Sequence, residues 1–279
     1  MANLLWLSTS PSLKWLDTPL LAQLAKGHIL HLWEYEQSLD EAVSLDEAIH
    51  LLHDYFIQRL KHLGSQMSLC SPRSSATLDQ RDQHSHGSQE RLHLIAHGIS
   101  GVLGLLFARQ YPEFVESLTL LAVGVHPAIT WHAHYYTQRN LFEWSQQQTL
   151  LHMAYQLFRT TMPCSPHMLA EVLEIDLTRS PCPHSLLKMT AIAQGGIEVP
   201  LLVCGGQLDT IVDIDSIYDW HDWMKPMDAV WICPEGRHFF HYQFPEQTCG
   251  VLQSFWQKRA SQEFQTAHGL QRSIEHATT

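Results

Sequence analysis

LHLIAHGISGVLGLLFARQYPEFVESLTLLAVG, residues 92–124, decides the fold. LHLIAH is a short apolar run that ends at a glycine and reads as a buried strand. ISGVLGLLFARQY follows with the length and composition of a helix, and ESLTLLAVG returns to strand character. The three elements fit into 33 residues, as a unit of two parallel strands joined by a crossover helix requires.

Upstream, NLLWL at 3–7 reads as a strand that runs into the turn-rich STSPS, and GHILHLWEY predicts a second strand. Ser44 with Glu47 three residues on forms a capping box, so the amphipathic stretch behind it is expected to be helical over about 45–63. Residues 64–90, rich in Ser, Gln and turn formers, are expected to form a mobile surface insertion. Downstream, VPLLVCG (199–205) and AVWIC (229–233) predict two more strands, with helices near 213–224 and 244–260. Residues 125–195 carry Trp, Tyr, His and Met at roughly helical spacing with no strand, and 259–279 read as a loose tail.

Alternating strands and helices place the chain in the α/β class, with a mostly parallel sheet and helices on both faces. The expected organisation is a core of 1–124 and 196–258, interrupted by the 64–90 insertion and by a helical insertion at 125–195.

The 92–124 segment resembles the nucleophile elbow of the α/β-hydrolase family, where a strand reads into G-H-S-x-G-G, then a helix, a Tyr-Pro-Glu turn and the next strand. VPLLVCGGQLD is similar to the family's acid-bearing strand and loop, which implies an acid at Asp209. PEGRHFFHYQFPE is similar to its histidine loop, which implies His238. Elbow, acid and histidine follow in the family's chain order. The resemblance covers roughly 3–258 and makes 125–195 the counterpart of the family's helical lid.

At two positions the chain departs from that pattern. Laying AHGISG on G-H-S-x-G-G puts Gly98 where the nucleophilic serine belongs and Ile99 where a backbone N–H faces the oxyanion. After the first strand the family's His-Gly is replaced by Ser8-Thr9-Ser10, so the glycine that allows close approach to a developing oxyanion is missing. Ser100 falls within the first helical turn, facing away from the crown of the elbow, and is read as a small residue for helix-to-strand packing. A turn that holds its central residue near positive φ suits glycine, which carries no Cβ to strain.

Composition sets the outer limits. The chain has 279 residues, 45% hydrophobic and 16% charged, and its 17 basic against 28 acidic residues repel phosphate backbones, which argues against nucleic acid. No apolar run approaches the ~20 residues of a spanning helix, and MANLLWLSTS lacks the charge and length of a secretory signal, so a cytoplasmic protein is expected. Six cysteines, Cys70, Cys164, Cys182, Cys204, Cys233 and Cys249, show neither zinc-site nor disulfide spacing. No phosphate-cradling glycine loop follows a strand, and no cofactor or metal is expected.

Other candidates carry bland readings beside sharp ones. Cys204 and Cys233 sit near strand ends, where a thiolate activated by His238 is one reading and a small buried hydrophobe the other. His126, His132 and His134 with Trp131, Tyr135 and Tyr136 do not face one another as metal ligands do, and are read as a mixed aromatic surface lining a lid pocket. His84 and His86 lie in the insertion and take no role.

Asp209 and His238 remain an acid–base pair without a hydroxyl to activate. The leading expectation is a hydrolase-like pseudoenzyme, without serine-hydrolase turnover, that binds a small apolar ligand or a protein partner, or serves as a scaffold. The alternative is an esterase-like hydrolase or cofactor-free lyase that runs on the dyad with an atypical nucleophile.

Overall fold

In NLLWLS the side chains point alternately to the two faces of a sheet, Leu5 and Leu7 into one apolar layer and Leu4 and Trp6 into the other. Both faces are covered, which is why the strands read as continuous apolar runs. The computed structural model describes residues 1–36, 45–69, 90–159, 162–181 and 189–258. Its six strands are β1 (Asn3–Ser8), β2 (Ile29–Glu34), β3 (Leu92–His97), β4 (Val115–Leu121), β5 (Leu201–Gly206) and β6 (Ala229–Cys233). They pair in the order β2-β1-β3-β4-β5-β6, every pair parallel.

One face is packed by α2 (Leu45–Leu69), through Ala48, Leu52 and Phe56, and by α3 (Gly98–Gln110), through Val102, Leu105 and Phe107. The other is packed by α1 (Thr18–Leu24) and a C-terminal helix over 245–258, which bring Leu20, Leu24, Leu252 and Phe255 against Leu4 and Ile95. Helix α3 lies close to the sheet because residue 101 is glycine: a Cβ there would come within 2.5 Å of Val123 Cγ2. This is the mostly parallel α/β sheet with helices on both faces that the sequence predicts.

Between β4 and β5 the described residues hold three helices and no strand: α4 (Trp131–Phe142), α5 (Gln146–Phe158) and α6 (Pro166–Arg179). Thr130, Ser145 and Ser165 cap their N-termini through side-chain oxygens. Two short helices, α7 (Ile214–Tyr218) and α8 (Phe240–Gln243), complete the set.

Helix α2 runs on to Leu69 rather than ending near 63. Gln66, Met67 and Leu69 are good helix formers, and the single Gly64 is tolerated within such a run. The rest of the predicted 64–90 insertion, through residue 89, and the 259–279 tail lie outside the described residues. Among the described residues no helix is long and apolar enough to cross a membrane.

Candidate functional site

Strands β1, β3, β5 and β6 deliver their loops to one edge of the sheet, the carboxyl ends, where α/β folds build their sites. β3 passes straight into α3 at Gly98, whose φ is +54°. An added Cβ at Gly98 meets nothing within 4 Å, so the crown of this turn faces open space and bears no side-chain oxygen.

The loop after β5 carries Asp209 and the loop after β6 carries His238. Main-chain bonds from Gln207 N to Cys233 O (2.9 Å) and from Leu208 N to Gly236 O (2.8 Å) tie the two loops together. The Asp209 carboxylate is fully used: Oδ1 accepts from the Ile211 and Val212 amides at 2.8 and 3.2 Å, and Oδ2 lies 2.9 Å from His238 Nδ1. Beside a carboxylate Nδ1 donates, which fixes the tautomer and leaves Nε2 for the cavity that His238 lines. Both side chains are buried.

His97, the last residue of β3, steadies this histidine from behind. Its Nε2 donates to the His238 carbonyl at 2.9 Å, and its ring lies 4.9 Å from that of His238 and 4.6 Å from that of His241. Burial holds the His97 pKa well below the usual imidazole value, and the neighbouring His241 and His238 push it further down. His241 Nε2 lies 3.0 Å from Asp17 Oδ1, and Trp6 Nε1 donates to Asp17 Oδ2 at 2.9 Å. Burial raises the Asp17 pKa against the opposing pull of those partners. Neither Asp17 nor His241 stood out in the sequence; an acid just after the β1 loop and a histidine three past His238 were the only signals.

On the far side of the turn, Ser100 Oγ accepts from the Thr9 amide at 2.9 Å and lies 3.0 Å from Thr9 Oγ1. Ser100 is buried and faces the loop after β1, so its role is a hydrogen bond and not packing alone. Trp131 of α4 lines the cavity at the elbow with Ser8, Ser10, Asp17, His97 and Gly98. Phe158, the last residue of α5, stacks on Phe239 with centroids 5.0 Å apart and planes 2° from parallel. The cavity that remains is about 30 Å³, room for a water or two.

His132 is also placed differently from the expected pocket surface. It is fully buried, with Nε2 at 3.1 Å from Asp176 Oδ2 and 3.2 Å from Ser180 Oγ. Asp176 of α6 accepts in turn from Ser12 Oγ at 3.2 Å, which ties α6 to the loop after β1. A helix that turns Trp131 and His132 inward spends its histidine on this anchor rather than on a pocket wall.

The thiols do not join the site. Burial pushes the Cys204 thiol far up and that of Cys233 up to about 11, so both stay protonated. Among the described residues no group of three His, Cys, Asp or Glu side chains is arranged to hold a metal.

The chain is 38% identical over 266 residues to an uncharacterized protein of Nostoc sp. strain PCC 7120, alr2406, covering 95% of each. It is equally 38% identical over 267 residues to an uncharacterized protein of Synechocystis sp. strain PCC 6803, sll0249, covering 96% of this chain and 95% of that one. The chain belongs to the family of these two proteins. No family model matches it.

Among solved structures it is similar to naproxen esterase from Bacillus subtilis, with TM-score 0.62 and 14% identity over 91% of this chain and 84% of that one. It is similar also to the meta-cleavage product hydrolase CumD of Pseudomonas fluorescens IP01, with TM-score 0.62 and 9% identity over 93% and 92%. The chain therefore has the α/β-hydrolase fold.

Proposed function

We propose that this α/β-hydrolase-like protein is a pseudoenzyme, one that makes no acyl-enzyme and acts by binding a small apolar ligand or a protein partner. Gly98 carries the reading. The elbow is formed, its acid–base pair is intact at 2.9 Å, and the position that would present a nucleophile has no oxygen. The loop after β1 supports it independently, since the Thr9 amide is already spent on Ser100 and is not offered to a developing oxyanion.

In this reading helices α4, α5 and α6 form a lid over the core. Trp131 and the Phe158–Phe239 stack cover a cavity too small for an acyl chain, so a ligand under the lid requires α4 to α6 to shift. The free thiols at 164, 204, 233 and 249 fit a cytoplasmic setting.

A second reading rests on the dyad. His238 Nε2 faces a cavity with room for water, so it would act as general base on water or on a substrate hydroxyl, a contribution of ~10²–10⁴-fold without a covalent intermediate. A panel of acyl esters, thioesters and lactones, assayed with the purified protein and with His238→Ala, separates the two. Turnover that disappears with His238 establishes the second reading and sinks the first. No turnover in either protein supports the binding reading.

A further inference from the structure

An open groove of about 570 Å³ lies at the acid loop and shares no lining residue with the cavity at the elbow. Its walls are Tyr155, Gln156 and Arg159 from the end of α5, Gln207, Leu208 and Thr210 from the loop after β5, and Arg237 from the loop after β6. Asp209 forms part of the floor, but its carboxylate is turned inward onto His238 and two amides.

Two guanidiniums therefore share one groove in a chain of net charge −11. Among the described residues neither has a carboxylate within ion-pair distance, whereas Arg59 pairs with Glu90 and Arg179 with Glu36. Arg237 is held by one bond, from Nη1 to the Leu208 carbonyl at 3.2 Å, and a guanidinium has four further N–H donors to offer. Burial first, then the positive charge of Arg159, push the Arg237 pKa down, against an opposing pull from the Asp209 carboxylate, so the two arginines repel each other across the groove.

The backbone adds a second observation. Arg159 terminates α5 with φ 53° and ψ −113°, a conformation that a residue with a Cβ adopts only at a cost. Glycine would occupy that position without strain, yet a long cation stands there and lines a groove that already holds one.

We propose that the Arg159–Arg237 groove binds a small organic anion, with its carboxylate or phosphate head between the guanidiniums and its apolar part against Tyr155 and Leu208. Planar guanidiniums match the oxygens of both head groups, and the anion removes the repulsion between the two arginines. The Tyr155 ring and Leu208 are more than two-fifths exposed, at 54% and 44%, and offer the apolar wall. The site stands apart from the elbow, so the presence or absence of ester turnover does not bear on it.

Calorimetric titration of the full chain with phenyl phosphate, phenylacetate and the neutral 2-phenylethanol tests it, at about 50 mM NaCl. Saturable binding of at least one anion is expected, weakened at least about tenfold in Arg159→Gln and by added salt, with no binding of the alcohol. Which anion binds names the head group. Arg159→Gly is the second variant: it relieves the backbone strain, so its melting temperature should equal or exceed the parent's while anion binding is lost. No saturable binding of either anion up to about 10 mM, or unchanged affinity in both Arg159 variants, overturns the proposal.

Discussion

Thr9 and Ser100 stand 91 residues apart in the chain and are joined twice, by the Thr9 amide donating to Ser100 Oγ at 2.9 Å and by the two hydroxyls at 3.0 Å. Both residues are buried, so neither bond is shared with bulk water. The contact closes the loop after β1 onto the first turn of α3.

Ser100→Ala should therefore destabilise the protein by about 1–3 kcal/mol, the cost of leaving a buried N–H without a partner. Urea unfolding of the variant against the parent measures it. A Ser100→Ala midpoint equal to the parent's would show that the Thr9 amide finds another acceptor.

The elbow itself makes a separate prediction. Because Gly98 has φ +54° and open space where a Cβ would go, substitution there costs backbone strain but no clash. Gly98→Ala and Gly98→Ser should each lose ~1–2 kcal/mol, by the same amount within error. Unchanged stability in both would mean that the turn does not hold residue 98 in the left-handed region.

The sheet was legible because parallel strands buried on both faces leave unbroken apolar runs, as in LHLIA and PLLVCG, and the crossover unit fixes their direction. Gly98, Asp209 and His238 were named from the resemblance to the hydrolase motifs, and all three follow strand ends that the sheet brings to one edge. The contacts that close the site were not. Ser100 with Thr9, Asp176 with His132 and Ser12, and His241 with Asp17 join segments 44 to 224 residues apart, and no local pattern of polarity records which loops strand order will set side by side. His132 illustrates the cost of reading periodicity alone: the helix was expected, but its inward face was assigned to a pocket when it belongs to a buried contact with Asp176.

That pair carries the third prediction. Asp176 is fully buried and meets His132 at 3.1 Å and Ser12 at 3.2 Å, so Asp176→Ala removes one partner from each of them at once. Losing a hydrogen-bond partner of a buried group costs about 1–3 kcal/mol, whereas Asp176→Asn keeps an acceptor oxygen and should lose less. Equilibrium denaturation of the two variants orders them. If Asp176→Ala were as stable as Asp176→Asn, α6 would not depend on this anchor.

The last prediction concerns acid. Burial first, then His241 and His238, hold the pKa of His97 below the 6.5 of a free imidazole, so below that pH the unfolded chain takes up a proton that the folded protein refuses. The sign follows: this contribution is fully present above about pH 6.5 and is lost as pH falls, with a slope of at most about 1.4 kcal/mol per pH unit for one group. Asp17, whose pKa is raised by burial, acts in the opposite sense, favouring the folded state at low pH and losing that effect as pH rises through its folded pKa. His28, His31 and His134 are also shifted down, so His97→Gln should flatten the acid limb without abolishing it. Urea midpoints measured from about pH 7.5 to about pH 5.5 should fall more steeply in the parent than in His97→Gln. Parallel curves would mean that His97 takes up its proton equally in both states, and that the histidine behind His238 is not held neutral by its burial.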